Sequence, residues 1–196
     1  MEKYFYHGIE GMSGYFSEVL NIILNILNEG LKTRNDRLDR NNPEYDKYNH
    51  VCLYQKNDDY DYSATDALLR SARGGWIDHG FVIIVSPDVE ATKVQVSDYT
   101  GFNEGEPVTN LVDEWRSNGS IPPSKFVGVA LPYVWLKEDL DYCDEEEKRN
   151  VSLAIQKIES ICHLNGWIIA NSDEENFTDI LDSSLNEMKR GKKWIS

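Results

Sequence analysis

His50 and Cys52 stand two residues apart in His50-Val51-Cys52-Leu53-Tyr54, a segment that reads as a strand. That spacing puts both side chains on one face and permits a thiol–imidazole contact. The pair by itself is a weak sign of a cysteine nucleophile, and a structural role for both is the plainer reading. Carboxylates gather further on. Glu104 and Glu106 lie in the Gly- and acid-rich stretch 101–107, a setting suited to a mobile catalytic loop. Glu114 lies in Val108–Trp115, where Leu111, Val112 and Trp115 suit a helix face but the pattern does not exclude a strand. On a solvent-facing helix it is a surface charge only. Arg34, Arg37 and Arg40 offer a local basic site, or simply a solvated loop. No GxxxxGK[ST], GxGxxG after a strand, HExxH or GxSxG is present. Cys52, Cys143 and Cys162 are odd in number and widely spaced, which suggests neither a disulfide framework nor a zinc site, so no metal is expected.

The elements that must position these groups follow from apolar periodicity. Tyr4–His7 reads as a strand broken by Gly8 and by the 11–14 stretch with its two glycines. A helix apolar on most faces is predicted from a cap at Ser17 to a stop at Gly30, and 32–49 reads as a long polar surface loop. Ser63–Arg73 reads as a helix stopped by Gly74-Gly75. Phe81–Val85, a continuous apolar run, reads as a strand covered on both faces, and Val94–Val96 as a weaker one. Ile121–Ser124 is a turn and Phe126–Leu131 another strand. Asp144–Glu147 puts acid on the first turn of a helix with the stripe Val151, Ile155, Ile158 and Cys162, ending at Gly166. Trp167–Ala170 is a further strand. Ser172 with Glu175 forms a possible capping box for a last amphipathic helix bearing Phe177, Ile180, Leu181, Leu185 and Met188.

Four of these pieces, in this order, carry a resemblance. Tyr6-His7-Gly8, then a helix ending Asn28-Glu29-Gly30-Leu31, is similar to the opening of ADP-ribosyltransferase-like proteins, with Ile9 where that family usually has Thr or Ser. His50–Tyr54 resembles the family's next strand, and Ile121-Pro122-Pro123-Ser124-Lys125-Phe126-Val127-Gly128-Val129 resembles its late segment, which shortly follows the catalytic Glu. The resemblance spans roughly residues 4–132. It implies a split, mostly antiparallel mixed sheet of α+β class, and transfer of ADP-ribose from NAD to a protein or small acceptor. Breaking the bond from nicotinamide to ribose makes an oxocarbenium-like ribose, which needs a rigid holder, an aromatic surface and a carboxylate. The resemblance puts His7 on the adenosine-side ribose of NAD and leaves room at Gly8 for the nicotinamide amide. It puts Tyr54 or Tyr62 against the nicotinamide and Arg34 or Arg37 at the pyrophosphate. Glu114, seven residues before Ile121, is near the expected place of the acid, with Glu104 and Glu106 as competitors.

Composition narrows the partners. The 196 residues suffice for one well-cored domain, and 40% apolar content excludes a disordered chain. Residues 1–142 are expected to form the core, and 143–196 a helix-strand-helix extension packed on it. A net charge of −14, from 34 acidic and 20 basic residues, argues against a long nucleic acid as partner, and so against a tRNA 2′-phosphotransferase. No membrane partner is expected, because no apolar run is long enough. The absence of an export signal predicts a cytoplasmic protein, with delivery into another cell left open. The rival reading is a non-catalytic, immunity-type domain whose acidic surface binds a basic protein.

Overall fold

The structure, a computed structural model, describes residues 3–9, 16–38, 49–55, 81–103 and 106–172. The predicted helix Ser63–Arg73, Tyr62, Glu104 and the final helix after Ser172 lie outside the described residues. No helix among the described residues is long and apolar enough to cross a membrane.

The strands are β1 (Phe5–Ile9), β2 (Cys52–Leu53), β3 (Phe81–Val85), β4 (Ala91–Asn103), β5 (Glu106–Ser117), β6 (Phe126–Leu131) and β7 (Ile168–Asn171). The helices are α1 (Phe16–Glu29), α2 (Arg34–Leu38), α3 (Tyr133–Leu140) and α4 (Glu145–Asn165). One sheet has the order β1-β3-β6-β7 and a second the order β2-β5-β4. All pairings are antiparallel except β6 with β7, so the chain is of α+β class with antiparallel-dominated sheets. Among the described residues the sheets meet at one bridge, where Tyr6 and Tyr54 exchange backbone hydrogen bonds of 2.8 and 2.9 Å.

The apolar run at β3 ends where composition puts it, between β1 and β6, with all five residues buried. One core packs Phe5, Phe81, Ile83, Val129 and Leu131 against Leu20, Ile23 and Leu27 of α1 and Val151, Ile158 and Cys162 of α4. On the opposite face Tyr4, Tyr6, Tyr54, Val82, Ile84 and Ala130 form a smaller one. α1 is less enclosed than its composition suggests. It buries Phe16, Val19, Leu20, Ile23, Leu24 and Leu27, but leaves Ile22 half exposed.

Helix ends are held by tertiary contacts as much as by local caps. Ser17 is not the cap of α1, which starts a residue earlier. Instead Glu147 on α4 accepts from Ser17 N (2.8 Å) and from Ser17 Oγ (2.6 Å), so a carboxylate from another helix satisfies the free N–H of the first turn. Asp144 caps α4 by accepting from Glu147 N at 2.8 Å, as its acidic first turn leads one to expect. α1 stops at Gly30, whose φ of +93° suits glycine, and a Cβ there would lie 2.4 Å from Ile121 O. Leu31 then exchanges backbone hydrogen bonds of 2.7 and 2.9 Å with Ile121, so the two segments Gly30-Leu31 and Ile121-Pro122 touch.

Two expectations are corrected, and one open assignment is settled. Val94–Val96 is part of a 13-residue strand, and the stretch taken for a loop belongs largely to a hairpin whose ladder runs from Ala91 opposite Ser117 to Asn103 opposite Glu106. Cross-strand pairing overrides the low strand propensity of Gly, Asn and Asp there, with an irregularity between Tyr99 and Gly101 absorbing the mismatch. Val108–Trp115, open between helix and strand, is strand throughout. The polar stretch after Lys32 contains α2, started by Thr33, whose Oγ1 accepts from Asp36 N at 3.4 Å. α3 had no clear apolar period to announce it, and it buries only Leu136.

Candidate functional site

Strand register builds the first half of the site. Cys52 pairs with Arg116 and Leu53 with Trp115, so the next position sets Tyr54 opposite Glu114. Period two sends Val51, Leu53 and Trp115 to the larger core and leaves His50, Cys52, Tyr54, Glu114 and Arg116 on the other face. Glu114 is buried, at 7% exposure. A carboxylate so placed needs partners, and it has them. Tyr54 Oη donates to Oε2 at 3.2 Å and Arg116 Nε donates to Oε1 at 2.7 Å. His50 Nε2 lies 4.0 Å from Oε1. Burial, then the nearby Arg116 charge, push the His50 pKa below its usual 6.5 against the pull of Glu114, so the imidazole is neutral at pH 7.

The second half lies where the sheets diverge. Antiparallel register past Tyr6 and Tyr54 would next pair Gly8 with Cys52, but the Cys52 carbonyl instead accepts from His7 Nδ1–H at 2.8 Å. That bond assigns the tautomer, because Nδ1 must carry the proton and Nε2 the lone pair. Burial depresses the His7 pKa, and the charge of Arg37 adds to the effect, which outweighs the backbone bond to Cys52. His7 is thus a neutral imidazole with an accepting Nε2. It lines a cavity of about 540 Å³ together with Ile26, Gly30, Arg37, His50 and Cys52. This is within the range of roughly 300–1,000 Å³ typical of small-ligand sites.

The sequence candidates divide accordingly. His7 lines the cavity; Tyr54 and Glu114 do not, but form a hydrogen-bonded pair whose carboxylate lies within 4.8 Å of the His50 and Cys52 side chains that do. Gly8 sits in β1 opposite Val82. Arg37, not Arg34, lines the cavity. Glu106 is not in a loop: it opens β5, eight residues and roughly 27 Å along the strand from Glu114 at about 3.4 Å per residue. Tyr62 and Glu104 lie outside the described residues. Sequence reasoning treated His50 only as a neighbour of Cys52, and did not single out Arg116. The signal for both was the period-two spacing His50-x-Cys52-x-Tyr54 and Glu114-x-Arg116, readable only once Val108–Trp115 is known to be strand.

No protein-family model, curated protein or solved structure matches the chain.

Proposed function

We propose that this chain is an ADP-ribosyltransferase that moves ADP-ribose from NAD to a protein or small acceptor, on a split-sheet fold of that kind. What supports the reading most is that Tyr54 and Glu114, from separate segments, are hydrogen-bonded partners next to the segment that His7 of the first sheet bonds at the Cys52 carbonyl. The contact of Leu31 with Ile121 adds to it, since it joins the two other segments on which the resemblance rests.

The chemistry follows from the donor and acceptor inventory. His7 Nε2 accepts a hydrogen bond from a ribose hydroxyl, and Arg37 meets the pyrophosphate by charge-assisted hydrogen bonds. Glu114 keeps acceptor capacity beyond its two present partners, since two carboxylate oxygens offer about four lone-pair sites. It accepts from a hydroxyl of the nicotinamide ribose and offsets the positive charge that builds at C1′. The C1′–N bond breaks, nicotinamide leaves as a neutral molecule with the bonding pair, and the acceptor heteroatom bonds to C1′ and releases its proton. Tyr54 positions the carboxylate.

The test is nicotinamide release from NAD by purified protein, alongside the thermal shift on adding NAD. Wild type should show both, and Glu114→Gln should retain the shift while release falls about 10²–10³-fold. Absence of both release and shift in wild type would sink the reading.

A further inference from the structure

We propose that His50, Cys52 and Glu114 form a binding site for one soft divalent cation of the Zn²⁺ type. An imidazole nitrogen, a thiol sulfur and a carboxylate oxygen all lie within 4.8 Å of one another. In a tetrahedral zinc site, ligands at about 2.0–2.3 Å from the ion stand roughly 3.3–3.8 Å apart. Closing the gap takes on the order of 1 Å of movement shared among three side chains, a matter of rotamer adjustment.

Four features favour a metal over a chance cluster. The mixed N, S and O donor set suits zinc and its first-row neighbours, whereas Mg²⁺ and Ca²⁺ want oxygen alone. Cys52 stands in β2, and Val51 before it is hydrogen-bonded to Ser117 through both its N–H and its carbonyl, so the short segment bearing His50 and Cys52 is anchored to the strand that carries Glu114. Glu114 already has the supports that a ligating carboxylate needs, through Tyr54 Oη and Arg116 Nε. His50 and Cys52 also line the cavity, which gives an ion a way in and leaves a fourth position for water or another ligand. Cysteine spacing could not reveal such a site, because its third ligand comes from a strand 62 residues beyond Cys52. An ion held there also occupies the carboxylate that the proposed transferase uses. That consequence rests on the transferase reading, whereas metal binding does not.

The experiment is a Co²⁺ titration of the full chain under reducing conditions, followed by optical absorption and reversed with Zn²⁺. Wild type should take up one ion, with a thiolate-to-cobalt charge-transfer band and the visible bands of a tetrahedral centre. Cys52→Ser should abolish the charge-transfer band, and His50→Gln should weaken binding by more than the roughly 10–100-fold that changes in supporting residues cost. Cys143→Ser should bind as wild type does. His50→Gln carries the test alone should Cys52→Ser not fold. No thiolate band in wild type, a band that survives Cys52→Ser, or unchanged affinity in His50→Gln would overturn the proposal. None of these readouts depends on NAD turnover.

Discussion

Replacing Glu114 by Gln separates its structural work from the chemical work that the proposed transferase gives it, because the two have different sizes. The side chain keeps its shape but loses its charge. Gln can still accept from one of its two donors, while its own NH₂ now faces the other. In a site this buried, a hydrogen bond to a charged group is worth about 1.5–3 kcal/mol, but Arg116 is about a third exposed and recovers part of its loss in water. The expected destabilisation is therefore about 1–2 kcal/mol, which for a chain of this size is a fall in Tm of roughly 2–8 °C. The catalytic loss should be larger. Removing one preorganised charge stabiliser from a transition state costs about 2.7–4 kcal/mol, or 10²–10³ in kcat. On the proposed transferase reading NAD affinity should change little, since the charge that Glu114 would meet develops only as the glycosidic bond breaks.

The assay is nicotinamide release at saturating NAD, run below the Tm of the variant, with Tm and NAD affinity measured on the same preparations. Glu106→Gln is the matched control, since it sits far along the hairpin and should leave turnover within about threefold of wild type. A folded Glu114→Gln enzyme that keeps most of its turnover would refute the assignment of the carboxylate. A loss that tracks Glu106 instead would move the acid to the far end of the hairpin and remove the argument from the Tyr54 pair.

Three further outcomes follow from the fold. Glu147→Ala removes both acceptors at the start of α1 and should cost about 1–2 kcal/mol, seen as a lower urea midpoint and as faster hydrogen exchange in the first turn of that helix; an unchanged midpoint would mean water replaces the carboxylate without loss. Gly30→Ala meets a φ of +93° and a carbonyl oxygen 2.4 Å from the new Cβ, so it should cost more than about 3 kcal/mol and disturb the Leu31–Ile121 contact, and a variant within about 1 kcal/mol of wild type contradicts this. His7 and His50 both have folded-state pKa values below 6.5, so the unfolded chain binds more protons as pH falls past 6.5, and their contribution to stability, whole above that pH, is lost until the depressed values are reached. Urea midpoints between about pH 5 and pH 8 should therefore drop toward acid, and His7→Gln should flatten that slope; an equal slope in the variant would show that other groups set it.

How much of this was readable beforehand depended on whether a residue's neighbours are close in sequence. β3, β6 and α4 announced themselves through local signals: an apolar run, a turn followed by a run, an acidic first turn with a periodic stripe and a terminal Gly166. Their local preference and their tertiary role agree, which is the condition for a legible segment. β4 and β5 failed that condition. Asp98, Gly101 and Asn103 carry loop preferences that only the opposing strand overrules, and Val108–Trp115 could not be assigned until its partner was known. The site inherited the same difficulty. Tyr54 and Glu114 were both nameable, but that they face each other is a matter of register between segments 60 residues apart, and register is decided by pairing rather than by composition. The same argument explains Arg116 and His50. Each becomes interesting only as a neighbour of Glu114, on a face that exists once β2 and β5 have paired. A search for chemistry in such chains therefore gains most from fixing strand pairs first, since one pairing here moves Glu114 from a possible surface charge to a buried carboxylate with three polar neighbours.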